Sequence, residues 1–158
     1  MKMAPKVQAM TRGTTVASVG LAFGAVALLL SGILVSGAKG SGWFVLVVAS
    51  ALAAAVVAVV LWWTLSRAGR VPTIGRGALA GTAVGLLAHP LMWLFALLLA
   101  HTSGWRGSLG NPTASSPQAL AAIPALTFVS WLLFGWLTAP VGALTGGLIA
   151  LLQRRLCR

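Results

Sequence analysis

The stretch GALAGTAVGLLAHPLMWLFALLLAH, residues 77–101, contains no charged side chain and is long enough to cross a bilayer as a single helix. About 20 apolar residues are sufficient for such a crossing. Three further stretches of the chain share this length and lack of charge. We therefore predict an all-α integral membrane protein with four transmembrane helices in an antiparallel bundle. The predicted spans are residues 15–36, 43–65, 77–101 and 126–152, with an outer loop at about 102–125.

The composition favours a membrane protein over a soluble one. Of the 158 residues, 59% are hydrophobic, 11 are Lys or Arg, and none is Asp or Glu. The surface of a soluble protein normally carries about a quarter to a third charged residues of both signs. Since no connecting segment is large or apolar enough to fold alone, we treat residues 1–158 as one membrane domain.

The positive charges lie at the ends of the predicted spans and are divided unequally between the two sides. One side has Lys39 and Arg106 alone. The other side has Lys2, Lys6, Arg12, Arg67, Arg70, Arg76, Arg154, Arg155 and Arg158. The positive-inside rule then predicts that both termini are cytoplasmic, in a bacterial-type inner membrane. These short clusters do not form a basic groove interleaved with aromatics, so no nucleic-acid partner is predicted.

The first span has an alternative interpretation as a signal peptide. Its basic start and apolar continuation resemble one, but the apolar region from Val16 to Val35 is about 20 residues long. Secretory apolar regions run about 7–15 residues. The length favours an uncleaved first span.

The last span has two possible frames, because Pro124 and Pro140 flank an apolar run. We predict one helix, residues 126–152, bent at Pro140. A span that ended at Ala139 would leave the apolar sequence VGALTGGLIALL in water. The alternative is a broken helix with a re-entrant half, which would favour a transport site.

Small residues recur along two of the spans at helical spacing. Gly77, Gly81 and Gly85 follow one another every four residues, and the next position on this face is His89. Span four has a similar row: Gly135, Thr138, Gly142 and Gly146. The small-xxx-small pattern lets two helices approach until their backbones touch. We predict that Gly77, Gly81, Gly85, His89, Pro90, Gly142 and Gly146 take part in helix packing.

His89 and Pro90 form the one polar interruption in the middle of span three. Proline has no amide hydrogen, so the Leu86 carbonyl loses its helical partner and is expected beside the imidazole. His89 is the only candidate for a cofactor ligand or a proton carrier. The structural interpretation is that its neutral ring bonds a neighbouring Ser, Thr or carbonyl while Pro90 sets a bend. We favour the structural interpretation, because proton relays usually pair His with carboxylates and this chain has none.

The residue types present exclude most catalytic chemistry. Paired-carboxylate catalysis and a Ser-His-Asp triad both need an acidic residue. His101 lies about 18 Å from His89 along the helix, and Cys157 is at the other side of the membrane, so no metal site and no cofactor is predicted.

We predict a non-enzymatic accessory, scaffold or assembly subunit that packs through its glycine-lined helix faces. Its partners would be the lipid bilayer and either further copies of the chain, as a homo-oligomer, or other membrane protein subunits. One alternative is a transporter or channel for small solutes or anions, formed as an oligomer around His89 and the span-four threonines. A second alternative is a subunit that binds haem or a pigment through His89.

Overall fold

The computed structural model describes residues 5–37, 42–66, 72–102 and 117–156, with the backbone alone at 5–14, 42 and 118. Within these ranges the chain is helical and has no strand. Three long helices come first: α1 (Pro5–Leu34), α2 (Gly42–Ser66) and α3 (Ile74–Thr102). The remainder consists of α4 (Pro117–Ala121), α5 (Ile123–Ser130), a π-helical stretch called here the π segment (Trp131–Gly135), and α6 (Trp136–Leu156).

Four helical stretches are long and apolar enough to cross a membrane, which confirms the four predicted spans. They are Thr15–Leu34, Trp43–Ser66, Ile74–Thr102 and Ala119–Leu156. This is the pattern of a multi-pass membrane protein. Lys39, Arg106, Cys157 and most of the predicted outer loop lie outside the described residues, so the orientation of the chain stays a prediction.

The frame of the fourth span differs in one respect from the prediction. The helix continues through Pro140, which lies inside α6. The sequence did not predict the π-helical turns at Trp131–Gly135. A proline clashes with the carbonyl four residues before it, which here belongs to Trp136, and the π-helical turns end directly before that residue.

Two pairs of helices pack closely, and each pair is antiparallel. In the first pair, Gly20 of α1 lies against Val59 and Ala55 of α2. In the second pair, Gly77 near the start of α3 lies against Gly146 and Ala150 near the end of α6. Helices α2 and α3 join the two pairs, whereas α1 and α6 touch only slightly. The two helix pairs are therefore packed tightly against each other where α2 meets α3, and only loosely where α1 meets α6.

The buried core is built mainly from small residues. The core cluster contains Val16, Val19, Phe23, Ala54, Ala58, Trp62, Val84 and Ala150. In a bilayer, lipid tails solvate leucine well, so helices associate by close packing of small residues. The larger apolar side chains accordingly point outward, as with Leu21, Leu79 and Leu144, each about 70% exposed.

Candidate functional site

His89 is buried, with 7% of its surface exposed, and it faces the fourth span. Its Nδ1 atom lies 3.0 Å from the Ser130 hydroxyl at the end of α5. Its Nε2 atom lies 3.1 Å from the Thr138 hydroxyl in α6. The imidazole therefore bridges the two halves of the fourth span, on either side of the π segment.

One assignment of the ring proton satisfies both imidazole nitrogens and both hydroxyls. Ser130 Oγ donates its single proton to the Thr127 carbonyl at 3.0 Å, so it accepts from His89. The neutral ring then carries its proton on Nδ1, and Nε2 accepts from Thr138. The result is a directional chain of hydrogen bonds from Thr138 through His89 and Ser130 to the Thr127 carbonyl. In this chain both ring nitrogens of the neutral imidazole are satisfied.

The π segment places both hydroxyls on the same face of the fourth span. In an uninterrupted α-helix, residues eight positions apart such as Ser130 and Thr138 are turned by about 80° from one another. A π turn takes up one extra residue, so the two positions become equivalent to residues seven apart, which differ by about 20°. Without this extra residue, a single imidazole on α3 would not meet both hydroxyls. The sequence row of small residues included Thr138 but gave no signal for Ser130.

Pro90 frees the Leu86 carbonyl, and the structure shows which group bonds it. The indole Nε1 of Trp131 donates to this carbonyl at 2.9 Å. The sequence predicts a free acceptor at this turn without naming its donor; the donor is Trp131, and the imidazole bonds hydroxyls. An indole from a neighbouring helix is one of the means by which proline is tolerated inside a membrane span.

The glycines of α3 and α6 bring these two backbones into direct contact. A Cβ atom added at Gly77 would lie 2.6 Å from both the Gly146 carbonyl oxygen and the Ala150 Cβ. A Cβ at Gly81 would overlap the Gly142 carbonyl, and one at Gly85 would overlap the Thr138 carbonyl. This close approach continues along the helix to the next turn, where it places His89 within hydrogen-bond distance of Thr138.

Gly135 does not belong to this contact, although the sequence placed it in the same row. A Cβ there would meet the Trp131 Cβ at 3.8 Å and a Leu86 methyl at 4.0 Å, which are ordinary contacts. Gly135 ends the π segment and is buried, but it is not in backbone contact with α3.

A cavity of about 450 Å³ lies beside His89, between the α1–α2 pair and the α3–α6 pair. Its walls are almost entirely apolar, and no charged side chain lines it. It is lined on α1 by residues from Phe23 to Leu34, by Val35 directly after this helix, and on α2 by residues from Trp43 to Ala54. These are the halves of α1 and α2 that lie next to their connection. The opposite half of the molecule holds most of the core cluster.

The polar groups on the cavity wall are mostly bonded to other groups of the protein. Ser50 donates to Ser31 at 3.0 Å, and Ser31 donates to the Ala27 carbonyl at 2.6 Å. Thr145 donates to the Val141 carbonyl at 2.8 Å, four residues earlier, as expected for a helical threonine. Among the described residues, the indole Nε1 of Trp93 is the buried polar atom on this wall without a partner.

The cavity is open on one side rather than enclosed, so its occupant comes from the surroundings of the protein. Water is a poor occupant, because it needs about two to four polar partners. The cavity wall therefore favours hydrocarbon as its occupant.

The arrangement offers little for catalysis or metal binding. Within the described ranges, no group of three His, Cys, Asp or Glu residues could hold a metal ion. An axial ligand to haem iron needs a free ring nitrogen, and both nitrogens of His89 have partners. His101 is exposed at the last turn of α3, about three turns away from His89.

No protein-family model matches the chain, and neither a curated protein nor a solved structure is significantly similar to it. A functional assignment consequently depends on the chemistry of the residues themselves.

Proposed function

We propose that this chain is a non-enzymatic subunit of a bacterial-type inner membrane, which assists the assembly or stability of another membrane protein. The observation that carries the proposal is the bonding of His89. The only ionisable side chain deep in the described spans uses both ring nitrogens for hydrogen bonds within its own chain. A residue held in this way fixes helix positions and has no free atom for a substrate.

The chain composition supports the same role. With no Asp or Glu in 158 residues, it cannot supply the carboxylates on which proton relays and most hydrolytic sites depend. The runner-up function, permeation of small solutes or anions, calls for a polar path through the bundle. The cavity beside His89 is apolar and uncharged, so it supports the accessory role better.

The proposed partner surface differs from the one that the sequence favoured. Gly81 and Gly142 face each other inside the chain, where they join α3 to α6. A partner would therefore contact the outward side chains of the fourth span, where Phe128, Leu132 and Trp136 are 60–71% exposed. Aromatic side chains of this kind are frequent at the energetic centres of protein interfaces.

The test is isolation from native membranes with a matched pair of variants. The tagged chain is crosslinked in the membrane, purified in mild detergent and examined by mass spectrometry. We expect one membrane protein to be recovered in constant proportion, and Trp136→Ala to reduce its recovery. Leu144→Ala, which changes a residue of similar exposure elsewhere on α6, should leave the recovery unchanged.

A different set of results would overturn the proposal. These are recovery of the chain without a partner, together with solute or anion uptake by proteoliposomes that contain this chain alone. Uptake that His89→Gln abolishes, with an unchanged unfolding midpoint, would assign His89 to transport.

A further inference from the structure

We propose that the cavity beside His89 binds an acyl chain of a bilayer phospholipid. The proposal concerns the half of the protein next to the α1–α2 connection and does not depend on the identity of any protein partner. Three observations carry it: the position of the opening, the polarity of the wall and the depth of the cavity.

The cavity opens toward the hydrocarbon of the membrane. Its walls include Leu30 on α1 and Val129 on α5. Helix α1 forms no extensive contact with the fourth span. The gap between these elements lies along membrane-spanning segments. A chain from the surrounding lipid can enter sideways without passing through water.

The polarity of the wall selects hydrocarbon over a polar ligand. The hydroxyls of Ser31 and Ser50 bond each other, and those of Ser130 and Thr138 bond His89. No charged side chain lines the space, so a phosphate or carboxylate would find no counter-charge inside it. The lipid headgroup must therefore remain outside, and only the acyl chain enters.

The depth of the cavity matches one leaflet. The lining residues on α1 run from Phe23 to Leu34, which at about 1.5 Å per residue is roughly 16 Å along the helix. One leaflet of the hydrocarbon core is about 15 Å thick, half of the total of about 30 Å. Trp43 lines the cavity near the start of α2, at the depth where an indole lies close to lipid headgroups. The space accordingly extends from the interface to the middle of the membrane, next to His89.

The experiment measures tightly held phospholipid in protein purified with delipidating washes. Ala27 lines the cavity, and Ala27→Phe fills part of it. Ala25 is exposed on the same helix, two residues earlier, so Ala25→Phe is the matched control. We expect the unmodified chain and Ala25→Phe to retain one phospholipid per chain. Retention by Ala27→Phe should fall by about fivefold or more, since this is the lower limit of the cost of overpacking a filled site.

A second measurement uses the unmodified chain, so that it is independent of how Ala27→Phe folds. A phospholipid with a photoreactive group in its acyl chain is added before the washes and activated after them. We expect adducts on Met92 and Leu30, which line the cavity. Adducts found only on outward side chains such as Leu21 would overturn the proposal. Equal retention of phospholipid by Ala27→Phe and Ala25→Phe would overturn the proposal as well. Retention of a hydrocarbon other than a phospholipid would also overturn it.

Discussion

Replacing Gly146 by alanine should destabilise the protein, while the same change at the next residue should not. The added Cβ at Gly146 would overlap the Gly77 carbonyl oxygen, and it would lie 3.1 Å from the Gly81 Cα. At Gly147 the added Cβ would instead meet methyl groups of Ile74 and Ala78 at 3.8 and 3.9 Å. The first site is in backbone contact with α3, and the second has room for a methyl group.

The size of the effect follows from these distances. The overlap with the Gly77 carbonyl oxygen forces α3 and α6 apart by about 1 Å or more if the methyl group at Gly146 is to be admitted. A gap of that size removes about half or more of the attraction between the atoms concerned. Overpacked sites typically lose about 1–3 kcal/mol. Both variants gain the same helix propensity, up to about 1 kcal/mol, so this term cancels in the comparison.

The comparison is made by reversible unfolding in mixed detergent, followed by circular dichroism. We expect Gly147→Ala to match or exceed the unmodified protein, and Gly146→Ala to be less stable than Gly147→Ala by about 1–3 kcal/mol. Equal free energies of unfolding for the two variants would show that α3 and α6 do not touch at Gly146. That result would refute the packing on which the position of His89 depends.

The other predictions concern the histidine, the proline and the topology. His89→Leu removes two hydrogen bonds and should lower the free energy of unfolding by about 1 kcal/mol, at an average of about 0.6 per bond in membranes, with His89→Gln losing less. Detergent unfolding measures both variants, and no loss in His89→Leu would contradict the bridge. Trp131→Phe leaves the Leu86 carbonyl without its donor, and in unfolding assays it should cost about 0.6–1.7 kcal/mol. That cost should nearly vanish in a Pro90→Ala background, where residue 90 supplies an amide, whereas additive effects would argue against a shared carbonyl. A reporter that works only in the cytoplasm should be active when it is fused after Arg158. If a reporter that needs export is active at this position instead, the predicted orientation is wrong.

The spans could be predicted from sequence because they depend on length and charge alone. Arg76 and the next charged residue along the chain enclose an apolar stretch, and any such stretch of sufficient length forms a helix in hydrocarbon. The spacing of Gly77, Gly81 and Gly85 also predicted a face suited to close packing. That this face meets Gly142 and Gly146 of the same chain did not follow from spacing, because the same pattern is equally suited to a second copy.

The polar contacts of the candidate site depend on local geometry that the residue pattern does not encode. Ser130 and Thr138 share a face only because the helix between them takes up one extra residue. No residue type in the sequence WLLFG distinguishes a π-helical turn from an α-helical one. The nearest residue that disturbs a regular helix by its own chemistry is Pro140, about one turn later. The donor for the Leu86 carbonyl, Trp131, depends on the same widened turn. Predicting either contact requires the distance between α3 and the fourth span.

The pairing of α3 with α6 also determines the order in which the protein matures on the ribosome. The face of α6 that packs against α3 follows a long connection in the sequence. Residues 103–141 must therefore be synthesised before Gly142 can reach Gly81. At about 5–20 residues per second, this takes roughly 2–8 s. Helices α1 and α2 have no such delay, since a short connection joins them and they can pair as soon as α2 emerges. For those seconds the glycine face of α3 and the Leu86 carbonyl lack the partners that the fourth span supplies in the folded protein.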